Sequence, residues 1–241
     1  MNHPETAPKP LGLSASVALY ATGAILLFLA TRFAIPWLVQ SHHLEPVVAW
    51  FIAAGSGVFL PLVAIGLVLL LLEPRPESPR ALQRRLWSGP MSRADWLWTL
   101  AGTGAIVLLS APLVVMLEHF SGRAAFNPPF LGLQPLARGR YLILAAWLPF
   151  FFINMLGEAF LWHAVMLPRQ ARSFGRSTWL ISGIGWGFFH LALPWQLLVG
   201  LIPTVLVIPW LIQRRTNIWP GVVLHALVNG SGFLAVTLGL V

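Results

Sequence analysis

The chain has 241 residues, of which 57% are hydrophobic and only 9% charged, and its mean hydropathy is +0.77. A soluble domain carries about 25% charged residues, so this composition is that of a polytopic membrane protein, read here as a single membrane domain. The formal charge of +8 falls in short arginine blocks between apolar runs, the positive-inside pattern, and a nucleic-acid role is set aside. With no cysteine, disulfides, thiolate nucleophiles and Cys-based metal sites are excluded.

Runs of about 20 apolar residues mark membrane-spanning helices. Seven are predicted, at roughly 13–39, 47–72, 95–118, 141–167, 177–193, 196–212 and 218–240. The fold class is therefore an all-α bundle of about seven transmembrane helices. The first run is too long for a signal-peptide core and is read as a retained span. Spans five and six are separated only by Pro194 and Trp195 and form a tight hairpin. In sequence the bundle divides into residues 1–140, with spans one to three, and 141–241, with spans four to seven.

Basic residues predict the orientation. A cytoplasmic N-terminus puts Lys9, Arg75, Arg80, Arg84, Arg85, Arg93, Arg169, Arg172, Arg176, Arg214 and Arg215 inside, and Arg123, Arg138 and Arg140 outside. Eleven against three sets the sense of the bundle, with the C-terminus outside. Arg32 lies near the outer end of span one and can snorkel. Multi-pass insertion in a bacterial inner membrane is expected. Trp37, Trp50, Trp96, Trp98, Trp179, Trp195, Trp210 and Trp219 lie near span ends and read as interface anchors. The inner segment 73–93 reads as a basic loop facing anionic lipid, with a short interfacial helix around ALQRRLW as the alternative. The outer segment 119–140 is apolar enough to lie against the membrane and gate substrate access. There is no internal repeat.

Polar groups able to do chemistry inside the spans concentrate in the second half. Span four holds Asn154, Glu158 and His163 in LGEAFLWHAVMLPRQ, span five holds His190 in WLISGIGWGFFHLALP, and span seven holds His225 and Asn229 in IWPGVVLHALVNGSGFL. An ionisable group at bilayer depth costs roughly 2.5–3.5 kcal/mol on insertion scales, which makes Glu158 a functional candidate. Asn154 with Glu158, Trp186 with His190 and His225 with Asn229 are each four apart, so each pair shares a helix face. Buried polar groups in lipid need partners, and three such stripes satisfy one another by converging.

At about 1.5 Å per residue, Glu158 lies roughly 14 Å from the inner end of its span, His225 about 11 Å, Asn229 about 17 Å and His190 near 20 Å. These depths predict a cavity opening toward the cytoplasmic side, with His190 the poorest fit. A lone Asn in a membrane helix is ordinarily interhelical glue, and Asn154 is read so, with a hydrogen bond to Glu158 as the alternative. His163 is read as a residue of the inner lipid interface. Five residues beyond Glu158, it lies about 140° away round an α-helix and need not touch it.

A carboxylate general base, a histidine that shares its proton, and a second histidine with an amide facing a developing oxyanion together support water attack on a carbonyl. The same two histidines and glutamate could instead hold a catalytic zinc, although no HExxH stretch is present.

GEAFLWHAVMLP, WGFFHL and HALVN, in that order on three C-terminal spans, resemble the three motifs of the CPBP family, the CAAX prenyl protease and bacteriocin-processing group of glutamic intramembrane proteases, also called Abi. The resemblance covers roughly residues 141–240. It implies that Glu158 is the water-activating base, that His190 works with it, and that His225 and Asn229 form the oxyanion site, with Trp186 in the aromatic position. It also implies catalysis without a metal cofactor. Asn154, Trp186 and His163 are then substrate-facing or supporting residues. Two positions depart: Ala159 stands where the family has a second glutamate, and His163 where it has an arginine. The implied function is an endopeptidase acting on a membrane-associated or lipid-anchored protein, with the bilayer as its other partner. An inactive scaffold or immunity protein and a small transporter are the rival readings, the latter disfavoured by the lack of a repeat.

Overall fold

The computed structural model describes residues 7–121, 135–136 and 141–239. Among them there are eight helical segments and no strand. They are α1 (Leu13–His42), α2 (Pro46–Leu71), α3 (Pro79–Arg85), α4 (Arg93–Ser121), α5 (142–174), α6 (Thr178–Phe189), α7 (Trp195–Arg215) and α8 (Trp219–Thr237).

Six helical runs are long and apolar enough to cross a membrane, and one of them, Leu142–Ala192, has 51 residues. That is roughly 76 Å of helix at 1.5 Å per residue, over twice the hydrocarbon thickness. It folds back at Gly175, whose φ of +56° is open to glycine at low cost. Thr178 Oγ1 closes the turn by donating to the Gly175 and Gln170 carbonyls. The run therefore supplies two antiparallel crossings, the predicted spans four and five. The hairpin between α6 and α7 forms as expected at Pro194, the residue before α7.

Three stretches are wound as π-helix: Ala30–Ala34 in α1, Gly55–Phe59 in α2 and Ala159–Met166 in α5. Each is followed two residues later by a proline, Pro36, Pro61 and Pro168. A proline ring clashes with the carbonyl four residues back and leaves it without a donor, and wider winding relieves both problems. Pro112, Pro149, Pro203 and Pro209 are not preceded by such a turn, so proline permits the winding and local packing selects it.

One apolar core joins both halves of the sequence. Tyr20 and Leu27 of α1, Phe59 of α2, Trp162 of α5, Trp186 and Phe189 of α6 and Leu224 of α8 are all buried in it. Close approach fixes α5 against α2, because a Cβ at Gly157 would lie 2.8 Å from the Phe59 carbonyl oxygen. Tyr20 lies against Gly185 and its hydroxyl pairs with Ser182 at 3.1 Å, which ties α1 to α6.

The segment read as a plain basic loop is more ordered than that. α3 forms within it, Ser78 capping the helix by accepting from the Ala81 N–H at 3.2 Å. Arg85 turns inward instead of facing lipid. Glu73 accepts Arg169 Nε at 3.1 Å and Nη2 at 2.8 Å, lies 3.4 Å from Arg85 Nη1, and accepts the Lys9 backbone N–H at 3.0 Å. One buried carboxylate thus binds the N-terminal segment, the α3 segment and the end of α5. The predicted outer loop lies mostly outside the described residues, as do Arg123, Arg138 and Arg140.

Two stability outcomes follow from this packing. Glu73→Gln leaves two buried guanidinium groups without their counter-charge and should cost about 3 kcal/mol or more, read as a lower unfolding midpoint in detergent. Gly157→Ala should cost about 1–3 kcal/mol, because its close neighbour is backbone and cannot rotate away.

Candidate active site

Glu158 sits where the regular winding of α5 gives way to the π stretch, and it is 2% exposed. Its carboxylate accepts two side-chain hydrogen bonds. Asn154 Nδ2 donates to Oε1 at 3.0 Å and Trp186 Nε1 donates to Oε2 at 2.6 Å. Asn154 is therefore not interhelical glue: it serves the carboxylate one turn away on its own helix. The interhelical bond comes from the indole.

His190 approaches the same oxygen, its Nε2 lying 3.8 Å from Glu158 Oε2. Its Nδ1 lies 2.9 Å from the Trp186 carbonyl. A carbonyl can only accept, so Nδ1 carries the hydrogen and the neutral ring turns its Nε2 lone pair toward the carboxylate. On α8, Asn229 Nδ2 lies 3.0 Å from His225 Nε2. The His225 ring meets Trp186 edge-on at 5.1 Å between centroids. Glu158, His190 and His225 therefore lie around one indole, with Asn229 reached through His225.

The depth estimates erred at one boundary. α5 does not end near residue 167 but runs to 174. Glu158 is thus 16 residues from the helix end, roughly 24 Å at 1.5 Å per residue, which brings it level with the depth estimated for His190. Glu158, Trp186 and His225 are buried, whereas Asn154, His190 and Asn229 are partly exposed. On each helix the partly exposed residue lies one turn farther from the arginine-rich ends. On the side nearer those ends, His163, Met166 and Leu167 are fully buried.

His163 is not at a lipid interface. It is 0% exposed, and its ring meets Trp186 edge-on at 4.8 Å. The π winding explains this, since i→i+5 pairing brings residues five apart toward one face. The Leu167 N–H, for example, donates to the Trp162 carbonyl. The signal was available in sequence as Pro168. Among the described residues, neither ring nitrogen of His163 has a hydrogen-bond partner, and nor does His225 Nδ1.

No group of three His, Cys, Asp or Glu among the described residues is arranged to hold a metal ion.

A carboxylate, imidazoles and an amide gathered inside a helical bundle are groups that intramembrane hydrolysis would need. Residues 140–231 match the family model described as type II CAAX prenyl endopeptidase Rce1-like. That stretch contains all three motifs, and the CPBP resemblance stands with it. No curated protein and no solved structure matches the chain. The family supports a protease of the intramembrane endopeptidase kind acting on a protein substrate.

His163→Phe should raise stability by about 1 kcal/mol, because it replaces a buried ring with two unpaired nitrogens by an apolar one of similar shape. Thermal unfolding of the two proteins in the same detergent decides this, and a lower midpoint for the variant would show that the nitrogens have partners.

Proposed function

We propose that the chain hydrolyses a peptide bond of a membrane-associated or lipid-anchored protein, with Glu158 as the base that activates water. The observation that carries this reading is the 3.8 Å approach of His190 Nε2 to Glu158 Oε2. Two acceptors so placed can take the two hydrogens of one water molecule and leave its lone pair facing a substrate carbonyl. Glu158 takes one proton as the water oxygen bonds to the carbonyl carbon. The carbonyl oxygen becomes an oxyanion, for which His225 and Asn229 are the donors that the motif resemblance implies. The C–N bond then breaks, and the proton held by Glu158 leaves with the amine. No step is routed through a metal.

The departures at Ala159 and His163 favour one rival, a scaffold of the same fold that binds protein without cutting it. The two readings part at Glu158→Gln. This variant should lose at least 10³-fold in cleavage, seen as missing N- or C-terminal processing when the membrane proteomes of wild type and variant are compared. An unchanged processing pattern with intact partner binding sinks the protease. His225→Ala and Asn229→Ala should each lose about 10²–10³-fold in kcat, the range for removal of one oxyanion donor.

The location proposed is a bacterial inner membrane, with the N-terminus cytoplasmic and the C-terminus outside. Reporter fusions at the two termini test this orientation.

A further inference from the structure

We infer that Trp186 is a positioning residue, whose indole N–H holds the Glu158 carboxylate and whose backbone carbonyl holds the His190 ring. The inference rests on the proposal that Glu158 is the base, and goes beyond the aromatic position that the motif resemblance assigns.

Trp186 is 1% exposed and, among the described residues, is the one bonded to both members of the Glu158–His190 pair. Its Nε1–H donates to Oε2 at 2.6 Å, the same oxygen that His190 Nε2 faces at 3.8 Å. Its carbonyl accepts from His190 Nδ1 at 2.9 Å and so sets the tautomer that turns Nε2 toward the carboxylate. The indole is itself confined. His163 and His225 meet it edge-on at 4.8 and 5.1 Å, with interplanar angles of 88° and 84°. A phenyl ring could fill this space, but it has no hydrogen to donate. With Asn154 on Oε1 and Trp186 on Oε2, both oxygens are oriented while lone pairs remain on each for a water. The carboxylate's rotation about its last torsion is thereby fixed before any substrate binds, which is how a supporting group contributes to catalysis.

The test compares wild type, Trp186→Phe, Glu158→Gln and a control, Trp98→Phe, all full-length in phosphatidylethanolamine–phosphatidylglycerol vesicles. Trp98 packs on Trp210, and among the described residues no hydrogen bond or ring contact joins it to the site. The first readout needs no substrate. The Glu158 carboxylate band is taken from the infrared difference between wild type and Glu158→Gln. It should shift in Trp186→Phe and stay in place in Trp98→Phe. An unmoved band in Trp186→Phe overturns the inference, whatever the protein cleaves. The second readout is cleavage of a quenched fluorescent peptide ending in a farnesylated cysteine motif. Trp186→Phe should lower kcat by 10- to 100-fold with KM within about threefold of wild type, because the residue acts on the base and not on binding. An unchanged kcat, or a loss confined to KM, overturns the inference. Full activity in Glu158→Gln would instead overturn the protease reading, and the infrared readout then judges the hydrogen bond alone.

Discussion

A carboxylate shut inside an apolar bundle must be given hydrogen bonds by its neighbours, because neither lipid nor packed side chains can replace water. Glu158 receives one from its own helix, through Asn154, and one from the next crossing, through Trp186. The second of these determines much of the architecture around it. For the indole to reach across, α5 and α6 must run back to back, and the glycines of α6 must let its other neighbours come close. Gly183 faces the Val205 backbone of α7 and Gly185 faces the Tyr20 ring of α1. The crowding of small residues in WLISGIGWGFF is the packing counterpart of the polar pair beside it.

The π-wound stretch of α5 links the sequence departures to the site. Ala159 and His163 replace the charged pair that the motif resemblance would place there, and both fall inside Ala159–Met166. A methyl group and a neutral imidazole are easier to bury than two ions, since an unmatched buried charge is far more costly than none. The winding then carries His163 to the edge of Trp186. What stands in the place of an ion pair is a cluster of rings around one indole, which orders the site by shape and by a single short hydrogen bond.

A second polar cluster does a different task at the arginine-rich end. Glu73 gathers Arg85, Arg169 and the Lys9 backbone, and Asp95 pairs with Arg215 Nε at 2.7 Å. These contacts tie the helix ends together, including Arg169 of α5, 11 residues beyond Glu158. Charges that a sequence-based topology counts simply as inside are here partly consumed as internal struts, while Arg84 and Arg172 stay exposed.

The sequence by itself determined the membrane class, the helical bundle and the identity of the chemical groups. Hydrophobic length and the rarity of charge are local properties, and residues four apart share a face in any regular helix. What it left open depended on distance between helices. The extension of α5 to residue 174 and the π winding before Pro168 were not visible in the apolar pattern. Whether His163 faced lipid or the site depended on that winding, and whether Asn154 served a neighbouring helix or its own carboxylate depended on which partner came within reach. Packing between helices selects among windings and register that differ little in local energy, so only the assembled bundle could place Trp186 at the centre of the three motifs.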